Sequence, residues 1–247
     1  MNTPTSHSHS EKNLTGQVYT QLKEGIFRLR YLPGEALTEA RVAEEYHVSK
    51  TTAKLALRQL AQEGWVTSDF RRKIRVREIQ PQTVQELYQF RELLEREALS
   101  RIFNQGLCWT YSFRLEEKLL CIQAVQNDLF AREQAEADWH AELISVYHSS
   151  LIDRVYGNLR DEAVRIAYFY MQRMDTPDHD YVQHILKGLH QIVQAIREQD
   201  QPTALAILEQ DHWQGALDLA LAAIADEKGG KASPHRKSLP PQKIYSP

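Results

Sequence analysis

Between Val48 and Leu60 the sequence sets two kinds of side chain at helical spacing. Ala53, Ala56, Leu57 and Leu60 recur at intervals of three and four and form an inward stripe, which leaves Lys50, Thr51, Lys54 and Arg58 on or near the opposite side. An α-helix fits the major groove of a duplex. Short hydroxyl side chains and cationic heads at its N-terminal end reach base edges and phosphates there, helped by the positive end of the helix dipole. Ser49, Lys50, Thr51, Thr52 and Lys54 supply those groups, with Arg58 one turn further on. Arg71, Arg72 and Lys73 stand in a polar run between two short apolar ones, as the tip of a hairpin that would extend the contact to a phosphate or the minor groove. The chemistry expected of both sets is recognition of double-stranded DNA. Residue by residue, the same groups also suit a capped, solvated helix with an exposed turn.

These side chains need particular elements around them. Val18, Leu22, Ile26 and Leu29 predict a first amphipathic helix from Thr15, stopped by the turn Leu32-Pro33-Gly34. Thr38 is an N-cap for a short helix over 39–46, Ser49 caps the next, and Gly64 ends that one at Glu63. A strand over 65–67 and the alternating Ile74-Arg75-Val76-Arg77 make a hairpin. Three helices and a hairpin predict a winged helix-turn-helix over 13–79. Gln80-Pro81 marks a junction, because Pro suits the first turn of a helix. Beyond it the apolar period is helical almost throughout, with helices expected at 82–104, 109–126, 128–148, 151–174, 179–199 and 203–225. The fold class is mainly α: a winged helix-turn-helix followed by an all-α antiparallel bundle over 80–227. The segments 1–12 and 228–247 lack periodicity and are expected to be disordered, the second as a basic tail.

Charge divides the same way. Residues 12–79 carry 13 Lys and Arg against 8 Asp and Glu, residues 80–227 carry 12 against 24, and the tail carries 5 basic residues and no acidic one. The basic segment attracts polyanions; the acidic one repels DNA and must serve another purpose. With 42% apolar and 26% charged residues in 247, the chain is that of an ordinary globular protein. Its 2 cysteines, Cys108 and Cys121, fit neither a disulfide framework nor a zinc-finger or redox spacing, so a cytoplasmic setting is expected. Neither an export signal nor a membrane-spanning stretch is encoded, the longest apolar run being broken at Asp218.

The run Leu32-Pro33-Gly34-Glu35-Ala36-Leu37-Thr38-Glu39, then Val48-Ser49-Lys50-Thr51-Thr52-Ala53-Lys54-Leu55-Ala56-Leu57-Arg58-Gln59-Leu60, then Glu63-Gly64-Trp65-Val66, resembles the DNA-binding domain of GntR-superfamily transcription factors. In the pattern usual for that family, Lys50 and Lys54 take the places of arginines, Thr52 that of a proline, and Lys73 stands near the wing-tip glycine. Lysine keeps the charge but loses the bidentate fork to guanine, so the resemblance implies a different operator or weaker discrimination at those bases.

Phe90-Arg91-Glu92-Leu93-Leu94-Glu95-Arg96-Glu97-Ala98, opening an all-helical domain, is similar to the start of the FCD-type effector domain of the FadR subfamily. The resemblance implies a homodimer, a pseudo-palindromic operator and a small effector, often a carboxylate. Arg91 lies in the stripe of Val84, Leu87, Leu94 and Ala98, where a charge needs a partner: either an internal carboxylate as a structural tie, or an effector. Many relatives hold a metal through an Asp, a His four residues later and two later histidines. Here Glu136 and His140 keep the first spacing, and His190 and His212 the second, as a set suited to Zn, Ni or Mn. In the alternative register Leu189 and Asp211 take the later positions, and Leu189 rather than His190 centres the apolar stripe Ile185, Leu189, Ile192, Val193, Ile196. The function expected is a DNA-binding transcriptional regulator, not an enzyme, whose operator affinity an effector modulates. Two alternatives stand beside it: a ligand-independent DNA-binding dimer, and a metal-dependent hydrolase on the bundle.

Overall fold

The computed structural model describes residues 6–68, 73–173 and 179–228; the side chains of 6–13, 179–181, 211–212 and 227–228 are not among those described. The chain divides into two compact units, the first ending at Glu78 and the second beginning at Ile79. The expected basic tail and the segment before Ser6 lie outside the described residues.

In the first unit, α1 (Ser6–Phe27), α2 (Glu39–Glu45) and α3 (Lys50–Gln62) are joined to a small sheet of β1 (Ala36–Leu37), β2 (Val66–Ser68) and β3 (Ile74–Val76). Helix α1 begins inside the segment expected to be disordered, because a helix nucleated by packing extends upstream at little cost. Val18, Leu22 and Ile26 of α1, Val42 of α2, and Ala53, Ala56, Leu57 and Leu60 of α3 are buried, with α1 and α2 both packed on α3. Each apolar side chain of the larger kind buried this way stabilises the unit by about 1.5–3 kcal/mol. Strand β3 lies between the other two, antiparallel to both: Leu37 pairs with Ile74, and Val66 with Val76. Strand β1 carries no alternation of its own and is held by that pairing.

The second unit contains α4 (Pro81–Asn104), α5 (Cys108–Ala124), α6 (Leu129–Ile144), α7 (Ser150–Met171), α8 (His179–Arg197), α9 (Gln201–Ile207) and α10 (Gly215–Lys228). Pro81 opens α4 as expected, Asp128 caps α6, Ser149 caps α7, and Asp200 caps α9. Its core includes Leu99, Ile102, Leu115, Leu119, Trp139, Leu143, Leu189, Ile192 and Ile196. One segment departs from expectation. The single helix expected over 203–225 is interrupted by a π-helical turn, Leu208–Gln214, between α9 and α10. A π turn inserts one residue into the helical repeat and rotates every side chain after it, which settles which face of the last segment turns inward.

Candidate functional sites

Helix α3 is fixed at both ends by its own sequence. The Thr52 N–H donates to Ser49 Oγ at 3.1 Å, and the hydroxyls of Ser49 and Thr52 lie 2.9 Å apart. At the other end Trp65 N–H donates to Leu60 O at 2.9 Å and Gly64 N–H to Ala61 O at 3.2 Å. Both bonds require the left-handed backbone that Gly64 supplies, φ +80°. Between these stops, Lys50, Thr51, Lys54 and Arg58 are exposed, and Ser49 stands exposed at the cap. Thr52 leaves the expected contact set: it is 4% exposed and its hydroxyl is spent on Ser49, because it shares the face of Ala56 and Leu60 one and two turns on. Lys73 is exposed beside β3, while Arg71 and Arg72 lie outside the described residues.

The interior of the helical unit is organised around one carboxylate. Glu95 is fully buried. Its Oε1 accepts from Arg91 Nε at 2.9 Å and from the Tyr156 hydroxyl at 2.6 Å. Its Oε2 accepts from His140 Nδ1 at 2.7 Å and from Trp213 Nε1 at 3.3 Å. Arg91 therefore has the internal partner that its place in an apolar stripe demanded. Burial by itself would raise the Glu95 pKa; Arg91, His140 and Tyr156 outweigh it and hold the group ionised, well below the usual carboxylate range. Burial lowers the His140 pKa, so a neutral imidazole with its proton on Nδ1 completes the set. Trp213 belongs to the π turn, whose added residue aims the indole at Glu95.

Beside this carboxylate lies a cavity of about 30 Å³, lined by Tyr88 and Arg91 of α4, Glu133, Glu136, Ala137 and His140 of α6, Ala163, Val164, Ala167 and Tyr170 of α7, and Ala216 of α10. The space exists because small side chains face it from three helices. Arg132 Nη2 donates to Glu133 Oε1 at 2.9 Å, both groups being buried. Glu136 has no hydrogen-bond or ion-pair partner among the described residues. Burial, then the neighbouring Glu133 charge, pushes its pKa up to about 8.

Residues 14–76 match the family model described as bacterial regulatory proteins, gntR family, and residues 86–212 match that of the FCD domain. The chain belongs to the GntR family. It is a transcriptional regulator with a DNA-binding helix-turn-helix and an FCD effector-binding domain, and not an enzyme. Among its relatives, an uncharacterized HTH-type transcriptional regulator, YdhC of Bacillus subtilis (strain 168), is 24% identical over 195 residues, 76% of this chain and 83% of its own length. The Nta operon transcriptional regulator of Aminobacter aminovorans is 24% identical over 203 residues, 79% of this chain and 91% of its own. The crystal structure of a GntR transcriptional regulator from Rhodococcus sp. RHA1 has the same fold, with TM-score 0.64 at 20% identity, covering 85% of this chain and 97% of that one.

FCD domains bind metals in some members of the GntR family, and the four expected ligands can be tested against the fold. Glu136 and His140 do face one cavity. His190 does not join them: it is exposed and its Nδ1 donates to Leu186 O at 2.8 Å, while Leu189 takes the buried position. The His212 side chain lies outside the described residues. His140 already spends Nδ1 on Glu95, and among the described residues no three His, Cys, Asp or Glu side chains are grouped to hold one ion. The described residues do not fit a metal. Sequence reasoning missed Glu95, Tyr156 and Trp213 as the partners of Arg91 and His140, and Glu133 with Tyr88 and Tyr170 as cavity walls. The Arg91 to Glu95 interval of four was a usable signal.

Proposed function

We propose that two copies of this chain, a cytoplasmic regulator of the FadR subfamily, grip a two-fold symmetric operator in duplex DNA. Lys50, Thr51, Lys54 and Arg58 of each α3 would read one half-site, with Ser49 at the helix start and Lys73, Arg71 and Arg72 of the wing on neighbouring phosphates. The observation that carries this reading is the exposed cationic face of α3, capped at both ends, in a chain of this family. Exposed apolar side chains of the helical unit, Phe90 and Leu93 on α4 and Trp109 and Phe113 on α5, offer surface for the second copy. An effector held in the cavity beside Arg91 would change operator affinity by binding one arrangement of the dimer better than another. A carboxylate effector, the class the resemblance implies, would meet a guanidinium whose Nε is already taken by Glu95.

Selection of bound duplexes from a random pool, followed by titration of the selected duplex at several salt concentrations, tests the reading. The expected result is an inverted-repeat sequence bound by a dimer with a steep salt dependence. A monomer indifferent to every duplex at low ionic strength would overturn it.

A further inference from the structure

The deciding question for the cavity is which of its polar groups are still free to meet a ligand. Four donors already converge on one internal carboxylate: Arg91 Nε, His140 Nδ1, the Tyr156 hydroxyl and the Trp213 indole all meet Glu95. That carboxylate already sits where an anionic head group would seek them. One acceptor is not spent. Glu136 has no hydrogen-bond or ion-pair partner among the described residues, and Glu133, one turn away on the same face of α6, shares the cavity wall with it. Ala163 and Ala167 of α7 and Ala216 of α10 line the cavity without side-chain bulk.

Resting on the reading of this domain as the effector-binding one, we infer that the cavity takes the ammonium group of an organic amine, its N–H donors received by Glu136 and Glu133. The size agrees: about 30 Å³ accommodates a head group comparable to one or two waters and not a whole metabolite. So does the charge. Arg91 is paired with Glu95 and Arg132 with Glu133, which leaves Glu136 as the carboxyl without an ion-pair partner among the described residues; a carboxylate ligand would add a second. Among the described residues no three His, Cys, Asp or Glu side chains are grouped to hold a metal ion here.

The test is calorimetric titration of the full chain with n-butylammonium and 1,4-diaminobutane, against butyrate, succinate and manganese at matched ionic strength. Amines are expected to bind, and E136Q to weaken them by at least about tenfold. The amide that E136Q introduces is nearly isosteric with the protonated acid, so the variant is expected to keep the wild-type helical content, read by circular dichroism. Amines that fail to bind at about 10 mM, or that bind E136Q as well as the wild type, would overturn the proposal. So would butyrate, succinate or manganese binding in their place. Operator titration of the unliganded chain is read separately, so loss of the amine result leaves the DNA-binding reading standing, and the reverse.

Discussion

The outer face of α3 and the interior around Glu95 both gather charged and hydroxyl side chains, and they use them in opposite ways. On α3 the caps absorb Ser49 and Thr52, while Lys50, Thr51, Lys54 and Arg58 stand in solvent. Such groups cost little to keep exposed and gain their energy only against an external polyanion. Around Glu95 the donors are spent internally, because a buried charge left without partners would cost several kcal/mol. The difference separates two tasks: a surface held ready for a partner, and a core that must first satisfy itself before any leftover group can meet a ligand.

The strongest way to break this comparison is Glu95→Ala. It strands Arg91 in the interior, and a loss of about 3–5 kcal/mol in unfolding free energy is expected from urea denaturation of the helical unit. A loss near zero would show that the donors are not committed to Glu95. On the other side of the comparison, Lys50→Ala with Lys54→Ala should weaken operator binding well beyond tenfold and reduce the slope of log K against log salt by roughly 2, with thermal stability unchanged. Equal titrations at matched salt would remove α3 from the duplex. Glu136→Gln sharpens the contrast within the core. The carboxyl, raised to about 8 by burial when folded and ordinary when unfolded, keeps its proton in the native state, so wild-type stability falls as pH rises between about 4.5 and about 8. The variant is expected to lose that slope, gaining on the order of 1–3 kcal/mol at the upper end, which paired denaturation curves would show. The smallest effect is expected of Gly64→Ala, about 1 kcal/mol in thermal unfolding, from forcing a Cβ into the left-handed turn that ends α3.

How far the sequence announced these features depends on how local their causes are. Ser49, Thr38 and Gly64 act on backbone groups within three or four residues, so the limits of α2 and α3 could be read from them. Strand β1 could not, since two residues carry no period and its pairing comes from Ile74 and Arg75, far along the chain. Thr52 was misplaced because the buried stripe of α3 is one residue wider than its aliphatic members suggest. Arg91 announced a need for a partner and Glu95 stood four residues away, but Tyr156 and Trp213 lie 61 and 118 residues from Glu95 and meet it through tertiary packing. The π turn that aims Trp213 leaves no mark in the apolar period of 203–225.

A single oxygen pair on Glu95 takes a proton donor from α4, from α6, from α7 and from the π turn. These four segments therefore share one registry, since sliding any of them by a turn would leave an ionised group in the dry interior with a contact unmade. An occupant that displaced one of these donors is therefore expected to move the segments together, and not to loosen one helix alone.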